Sequence, residues 1–232
     1  MTLIKNYIDD FLHLFFPHVC IGCESDVLDD RSLLCAECMH YLPQTGFIAT
    51  KGNPVEKIFY GRINVQHAGS AFYFNKESVI QNLIVQLKYR SNQLAGNFLG
   101  KLLGYELMNS KRFDDVDVMI PLPLNEKKLF KRGYNQSLAI ANGIASVWQK
   151  PVIENAVERI LFTETQTHKG RTARWQTMEG VFAVTQPSLI ENKHILLVDD
   201  VVTTGATLEA CGTSILKIPN VKLSVATVAY TI

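Results

Sequence analysis

The chain is poor in the residues that keep a polypeptide irregular, with 14 Gly and 8 Pro among 232 residues, and it contains no internal repeat or low-complexity segment. That excludes a collagen-like or disordered chain. It also lacks an excess of either charge: 23 Lys and Arg against 22 Asp and Glu leave a net +1. A protein that coats nucleic acid presents a broad basic field, so only a local basic patch is compatible with this balance. No stretch approaches the roughly 18 uninterrupted apolar residues of a membrane-spanning helix. A secretory leader is not found either, because Asp9 and Asp10 break the apolar pattern near the start and no small-residue cleavage site follows. These absences predict a cytoplasmic protein with no transmembrane segment. What is present is apolar material for a core, at 47% of residues, and an opening helix. Residues 3–16 place Leu3, Ile4, Tyr7, Ile8, Phe11, Leu12 and Phe15 at helical spacing; the polar face is not rich in Lys and Arg, which predicts packing on the protein's own domain over membrane-surface binding.

Four of the five cysteines form two pairs, Cys20-Ile21-Gly22-Cys23 and Cys35-Ala36-Glu37-Cys38. Two such knuckles bring four thiolates to the corners of a tetrahedron, the closed arrangement of structural zinc. The alternative is a pair of disulfides, which a reducing cytoplasm disfavours. We therefore expect Cys20, Cys23, Cys35 and Cys38 to bind Zn2+ with no open coordination position. His18 and His40 flank the pairs as bystanders, and Cys211, alone inside a helical pattern, reads as buried apolar filler. Glu24, Asp26, Asp29, Asp30 and Glu37 make this segment acidic, which suits a protein contact or domain packing better than DNA.

Residues 42–62 carry Pro43, Gly46, Gly52, Asn53, Pro54 and Gly61 with little periodicity and read as a turn-rich connection. Two units are expected: residues 1–62, an amphipathic helix plus the cysteine module, and residues 63–232, a larger domain. In the second, 63–74 suggests one or two short strands. Helical patterns follow at 78–89, with Val79, Ile80, Leu83, Ile84 and Leu87, and around Leu94, Phe98, Leu99, Leu102 and Leu103. Residues 116–120 read as a strand stopped by Pro121 and Pro123, 135–148 as a helix capped by Asn135, and 151–161 and 181–184 as strands. A helix over 205–217 and a strand over 223–230 complete the series. Ile195, Leu196, Leu197 and Val198 form a continuous apolar run, the mark of a strand buried on both faces. Alternating strands and helices imply a parallel α/β sheet with right-handed crossovers.

That buried run leads into Asp199-Asp200-Val201-Val202-Thr203-Thr204-Gly205-Ala206-Thr207. A strand delivers two carboxylates toward its C-terminal end, where open α/β sheets bind ligands. A small, hydroxyl-rich turn then opens a helix, whose free backbone N–H groups suit a phosphate. Gly205 lets the backbone come close. Asp199 and Asp200 can accept hydrogen bonds from neighbouring hydroxyls, such as those of a ribose, so one site can read both ends of a ribose 5-phosphate. An ordinary capping turn is the alternative, and a Walker-type phosphate loop is excluded because its Gly-x-x-x-x-Gly-Lys pattern is absent.

With these residues in place, the chain resembles the phosphoribosyltransferases, and within them the competence protein F (ComF) family. The second resemblance rests on Leu87-Lys88-Tyr89-Arg90, on Pro121-Leu122-Pro123-Leu124 followed by Lys131-Arg132-Gly133-Tyr134-Asn135-Gln136-Ser137, on Gln166, Arg171 and Arg174-Trp175, and on the paired cysteines. It implies a type I phosphoribosyltransferase-like parallel sheet flanked by helices, with a small N-terminal zinc-binding module. It further implies that Asp199, Asp200, Thr203, Thr204, Gly205, Ala206 and Thr207 bind 5-phosphoribosyl 1-pyrophosphate with Mg2+. Residues 121–133 then approach the pyrophosphate and 162–180 form a closing loop. Arg132 is the leading pyrophosphate partner, followed by Lys88, Arg171 and Arg174; Lys127 and Lys128 are expected on a solvated face. Tyr134, Asn135 and Gln136 are equally compatible with capping and packing or with ligand contact.

The chain departs from the family at two places. Purine-salvage relatives carry an Asp base where Thr203 stands, and Thr177 replaces the usual Asn. Two functions are consistent with this. One is a ComF-like protein that binds phosphoribosyl pyrophosphate and assists DNA uptake in natural transformation, with single-stranded DNA and DNA-uptake proteins as partners. The other is an active phosphoribosyltransferase, a glycosyltransferase acting on an unidentified nitrogen acceptor. If DNA binds, the basic clusters at 127–132 and 169–174 are its expected contacts.

Overall fold

The structure is a computed structural model that describes residues 19–26, 28, 32–160 and 180–231. The expected helix over 3–16 and the basic cluster at 169–174 lie outside the described residues, as do Arg171 and Arg174. Four parallel strands form the main sheet: β1 (Ala68–Phe74), β2 (Val118–Pro121), β5 (His194–Val202) and β6 (Lys222–Thr231), in the order β1-β6-β5-β2. Leu196 pairs with both Met119 and Ser224, and Val225 with both Ala68 and Leu197, so β5 and β6 are interior strands. The helices are α1 (Ala36–His40), α2 (Pro54–Phe59), α3 (Val79–Tyr89), α4 (Gln93–Ser110), α5 (Glu126–Arg132), α6 (Gln136–Trp148) and α7 (Ala206–Ile215). Two short strands, β3 (Val157–Arg159) and β4 (Phe182–Val184), pair antiparallel outside the sheet, one on either side of residues 161–179.

The continuous apolar run of β5 explains its central position. Leu196 and Val198 join the core with α3, α4 and α6, while Ile195 and Leu197 join the core with α2 and α7. With both faces covered, a period-two pattern has nothing to alternate against. Ser78 and Asn135 cap α3 and α6 as expected of such side chains, accepting from Gln81 N and Ser137 N. Among the described residues no helix is long and apolar enough to cross a membrane.

Strand β5 delivers both acids near its C-terminal end, as expected, and runs on to Val202, because the ladder to β6 continues through Asp199–Thr227 and Val202–Tyr230. Two expectations are corrected. Residues 121–133 are not all loop, since 126–132 form α5, with Asn125 accepting from Lys127 N. Residues 42–62 are more than a turn-rich connection. Asn53 caps α2 and is only 3% exposed, and its side-chain amide donates to the carbonyls of Phe47, Thr50 and Ala68. Arg112 donates to the carbonyls of Ile48 and Thr50 at 2.9 and 2.8 Å and pairs with buried Glu56. These polar groups are buried together and satisfied together, which is the condition for keeping them inside.

The cysteine module packs against the start of α3. Asn82 Nδ2 donates to the Ile21 carbonyl at 3.3 Å, and Cys20, Leu34 and Cys38 join the core of α3, α4 and α6.

Within that core α4 and α6 meet backbone to backbone. A Cβ on Gly100 would lie 2.1 Å from the Ile140 carbonyl oxygen, and one on Gly143 2.3 Å from that of Asn97. Gly96 and Gly104, one helical turn to either side of Gly100, face Ala139, Ile144 and Val147. Replacing Gly100 with Ala gains roughly 1 kcal/mol of helix propensity but forces two backbones apart. We expect Gly100→Ala to lower stability by about 2 kcal/mol net, read as a lower urea midpoint at unchanged m-value.

Candidate functional site

The C-terminal ends of β2 and β5 open onto a cleft of about 150 Å3 lined by Lys88, Leu122, Pro123, Leu124, Lys128, Arg132, Gln136, Ser137, Arg159, Asp199, Asp200 and Thr207. A larger hollow of about 490 Å3 is lined by one stretch of chain, residues 60–65, which holds no carboxylate. The smaller cleft is where chemistry converges.

Asp199 and Asp200 are neighbours on one strand but have different partners. Asp200 is buried, at 7% exposure, and its carboxylate pairs with Lys88 Nζ at 2.8 Å. Asp199 Oδ1 accepts from Ser137 Oγ at 2.9 Å. Burial, and then the charge of Asp200, push the Asp199 carboxyl up to about 7, against the pull of the Ser137 hydroxyl and Lys88. Near neutral pH the pair therefore carries less than its full two negative charges.

The turn beyond β5 leaves Thr203 and Thr204 exposed and Gly205 buried. Gly205 has φ +71° and precedes the first turn of α7, which no side chain caps. A Cβ at Gly205 would lie 2.5 Å from Ile58 Cγ2, so both its conformation and its surroundings require glycine. Ala206 and Thr207 form the first turn, where backbone N–H groups have no intrahelical partner. The result is a helix start with free N–H donors, an arrangement suited to an anion, beside two adjacent carboxylates.

More of the lining comes from α5 and α6. Arg132 Nη1 donates to Gln136 Oε1 at 2.6 Å, and its guanidinium lies 6.0 Å from the Tyr89 ring centroid. Asn135 caps α6 and donates to the Leu122 carbonyl at 3.1 Å, while the Tyr134 hydroxyl donates to the Leu87 carbonyl. For these two the structural alternative holds, whereas Gln136 holds Arg132 and lines the cleft. Lys127 and Lys128 are exposed, as expected of a solvated face, and Lys128 also borders the cleft.

Of the anticipated residues, Lys88, Arg132, Asp199, Asp200 and Thr207 meet in one cleft, and 203–206 form the adjoining turn. Lys88, anticipated as a pyrophosphate partner, lines the cleft and pairs there with Asp200. Sequence reading missed Arg159, at the end of β3, because nothing in a three-residue strand marks it. Ser137 stood only as part of a motif, and its bond to Asp199 spans 62 positions.

The four cysteines lie elsewhere, against Val79 at the other end of α3 from Lys88, about 14 Å along the helix axis. Their sulfurs lie within 4.8 Å of one another, and all are free thiols. Cys23 Sγ and Cys35 Sγ are 3.7 Å apart, too far for a disulfide and close to the edge of a tetrahedron built on zinc–sulfur bonds of about 2.3 Å. The N–H groups of Gly22 and Cys35 point at Cys20 Sγ from 3.4 and 3.3 Å. Burial opposes ionisation of Cys20, but the N–H groups of Cys35, Cys23 and Gly22, with the Cys38 thiol, outweigh it and bring the thiol down to about 6. Gly22 is needed here, since a Cβ would lie 2.7 Å from Cys38 Sγ. The cluster could hold a metal ion such as zinc. Cys211 is fully buried in the core of α7, as expected of filler.

Residues 137–231 match the phosphoribosyl transferase domain, a span that includes Ser137, both acids and the turn. Competence protein F of Haemophilus influenzae is 25% identical over 209 residues, covering 84% of this chain and 89% of that protein. DNA utilization protein YhgH of Shigella flexneri is 30% identical over 129 residues, spanning 54% of this chain and 56% of its own length. Competence protein ComFC of Bacillus subtilis is 32% identical over 100 residues, 43% of this chain and 38% of that one. The chain thus has a parallel sheet flanked by helices, within which 137–231 matches the phosphoribosyl transferase domain, and it is similar to competence protein F, ComFC and YhgH.

The raised Asp199 carboxyl has a consequence for stability. Its folded form holds a proton more tightly than the unfolded chain does, so its contribution is complete below about pH 4 and is lost as pH rises through about 7. We expect the stability of Asp199→Asn relative to wild type to increase from pH 5 to pH 8, as read from urea midpoints; a constant difference would contradict this assignment.

Proposed function

We propose that this protein binds 5-phosphoribosyl 1-pyrophosphate in the cleft between β5, α6 and α7, in a cytoplasmic role in DNA uptake. The observation that carries the reading is the juxtaposition of Asp199 and Asp200 with an uncapped helix start behind a left-handed Gly205. A ribose fits with its hydroxyls on the acids and its 5-phosphate on the N–H groups of 205–207. Arg132, oriented by Gln136, then faces the pyrophosphate, where a planar fork suits bidentate contact. Lys88 is released to that anion when the hydroxyls take over Asp200. Asp199 and Asp200 would be the acids beside a Mg2+ ion bound with the ligand, which would supply charge neutralisation for a pyrophosphate leaving group. Arg171 and Arg174 belong to the same proposal as closing-loop contacts.

Turnover requires a proton acceptor for a nitrogen nucleophile, and Thr203 supplies none. Among the described lining residues the acids are Asp199 and Asp200 alone. An Asp199 carboxyl near 7 has the affinity of a base matched to neutral pH, and this observation keeps active phosphoribosyl transfer as the second reading.

Calorimetric titration with phosphoribosyl pyrophosphate and Mg2+ tests both. We expect binding to the wild type, and losses of about tenfold or more in Asp199→Asn and Asp200→Asn. Absence of wild-type binding would falsify the site. Pyrophosphate release with any nitrogen acceptor selects the enzyme; binding without release across an acceptor panel selects the ligand-binding role.

Two of the relatives' names refer to competence and one to DNA utilization, and single-stranded DNA is the partner we propose here. Its support lies on α5, where Phe130 is 93% exposed beside Leu129 and among Lys127, Lys128, Lys131 and Arg132. Cations for the backbone and an open ring for base stacking are the two requirements of single-strand binding. Phe130→Ala is expected to weaken oligonucleotide binding about tenfold while leaving phosphoribosyl pyrophosphate affinity intact; unchanged oligonucleotide affinity argues against this surface.

We assign Zn2+ to the four cysteines as a structural ion. Purified protein should contain about one zinc per chain, and its removal by a chelator should expose the α3 face beneath Cys20 and Leu34 and lower the melting temperature. A metal-free preparation with an unchanged melting temperature refutes that assignment.

A further inference from the structure

The turn proposed to hold the phosphate is itself held by a residue far from it in sequence. Arg62 lies in the loop between α2 and β1. Its Nη1 donates to the Thr204 carbonyl at 2.7 Å and to the Ile58 carbonyl at 3.0 Å, and its Nη2 pairs with Glu209. Glu209 stands in the first turn of α7, and its N–H donates to the Gly205 carbonyl at 2.8 Å. One guanidinium thus joins the end of α2, the turn and the start of α7.

The bond at Thr204 has a directional consequence. The described chain contains no cis peptide, and a trans peptide plane directs its C=O and the next N–H to opposite sides. Fixing the Thr204 carbonyl on Arg62 therefore fixes the Gly205 N–H pointing away from Arg62. Ile58 and Phe59 close off the space beside Gly205, so the glycine has no room to swing toward α2. Glu209 takes up the charge of Arg62, which leaves the arginine as an orienter of the turn and not as an anion ligand.

We propose that Arg62 is a positioning residue for phosphate recognition, setting the Thr204–Gly205 peptide so that its N–H faces the ligand. This rests on the ribose-phosphate reading of the turn. The ligand class concerned is the phosphate monoester of a sugar phosphate; pyrophosphate belongs to the Arg132 wall and is not governed by Arg62.

The test compares wild type, Arg62→Ala and Arg62→Lys by calorimetry, with ribose 5-phosphate and, separately, inorganic pyrophosphate with Mg2+. Arg62 is partly exposed, with 35% of its side-chain surface accessible, so the variants are expected to fold. Arg62→Ala should weaken ribose 5-phosphate about tenfold and leave pyrophosphate unchanged, and Arg62→Lys, which keeps one donor, should recover part of the loss. In the unliganded protein, amides 203–206 should exchange faster in Arg62→Ala, with those of β5 unaffected. Equal ribose 5-phosphate affinity in all three proteins overturns the proposal, as does an equal loss for both ligands. Failure of the wild type to bind ribose 5-phosphate is a different result: it overturns the site reading and, with it, the role given to Arg62.

Discussion

The contact between the backbones of α4 and α6 sets the geometry on which the site depends. Gly100 and Gly143 remove the side chains that would separate the two helices, and the close approach fixes α6 in position and rotation. The first turn of α6 is also part of the cleft: Asn135 ties it to the end of β2, Gln136 holds Arg132, and Ser137 reaches Asp199. A shift of about 1 Å between the helices would be felt at three polar contacts at once, because a packed core transmits displacement instead of absorbing it.

The second organising constraint is electrostatic. Adjacent carboxylates at a buried strand end repel each other, and together they would repel a polyanion. The protein moderates this unequally. Asp200 is paired with a lysine, and Asp199 is left with a hydroxyl and a raised affinity for protons. For the phosphoribosyl ligand proposed here, the site can thus offer acceptors to hydroxyls without presenting two full charges to the phosphates. Apart from Lys88, the basic residues that line the cleft sit on α5 and at the end of β3, so the near-zero net charge of the chain conceals a site where both signs are concentrated.

Much of this was legible in the sequence where a local signal existed. The run 195–198 identified the interior strand, and Ser78 and Asn135 marked their helices because capping is a contact within a few residues. The four cysteines converge because their spacing demands it. Other elements were illegible for physical reasons. α5 buries none of its residues, so it has no apolar stripe to reveal it. The strand continues through two acids, which local preference disfavours, because the ladder to β6 outweighs that preference. Arg62 is invisible because both of its distant partners lie more than 140 positions away. The glycines at 96, 100 and 104 did leave a signal, a four-residue repeat on one helical face, which is recognisable as a close-packing seam only once its partner helix is known.

The strand order also bears on what is the smallest part of this chain able to stand alone. The stretch that matches the phosphoribosyl transferase domain, 137–231, contains β5 and β6 but neither β1 nor β2, which flank them. Severed from what precedes it, the pair would have two naked edges along buried, apolar strands, a template for annealing with copies of itself. Residues before 137 therefore act as an intramolecular guard against self-association, and recombination or truncation that respects the bounds of the match cuts through the folding unit.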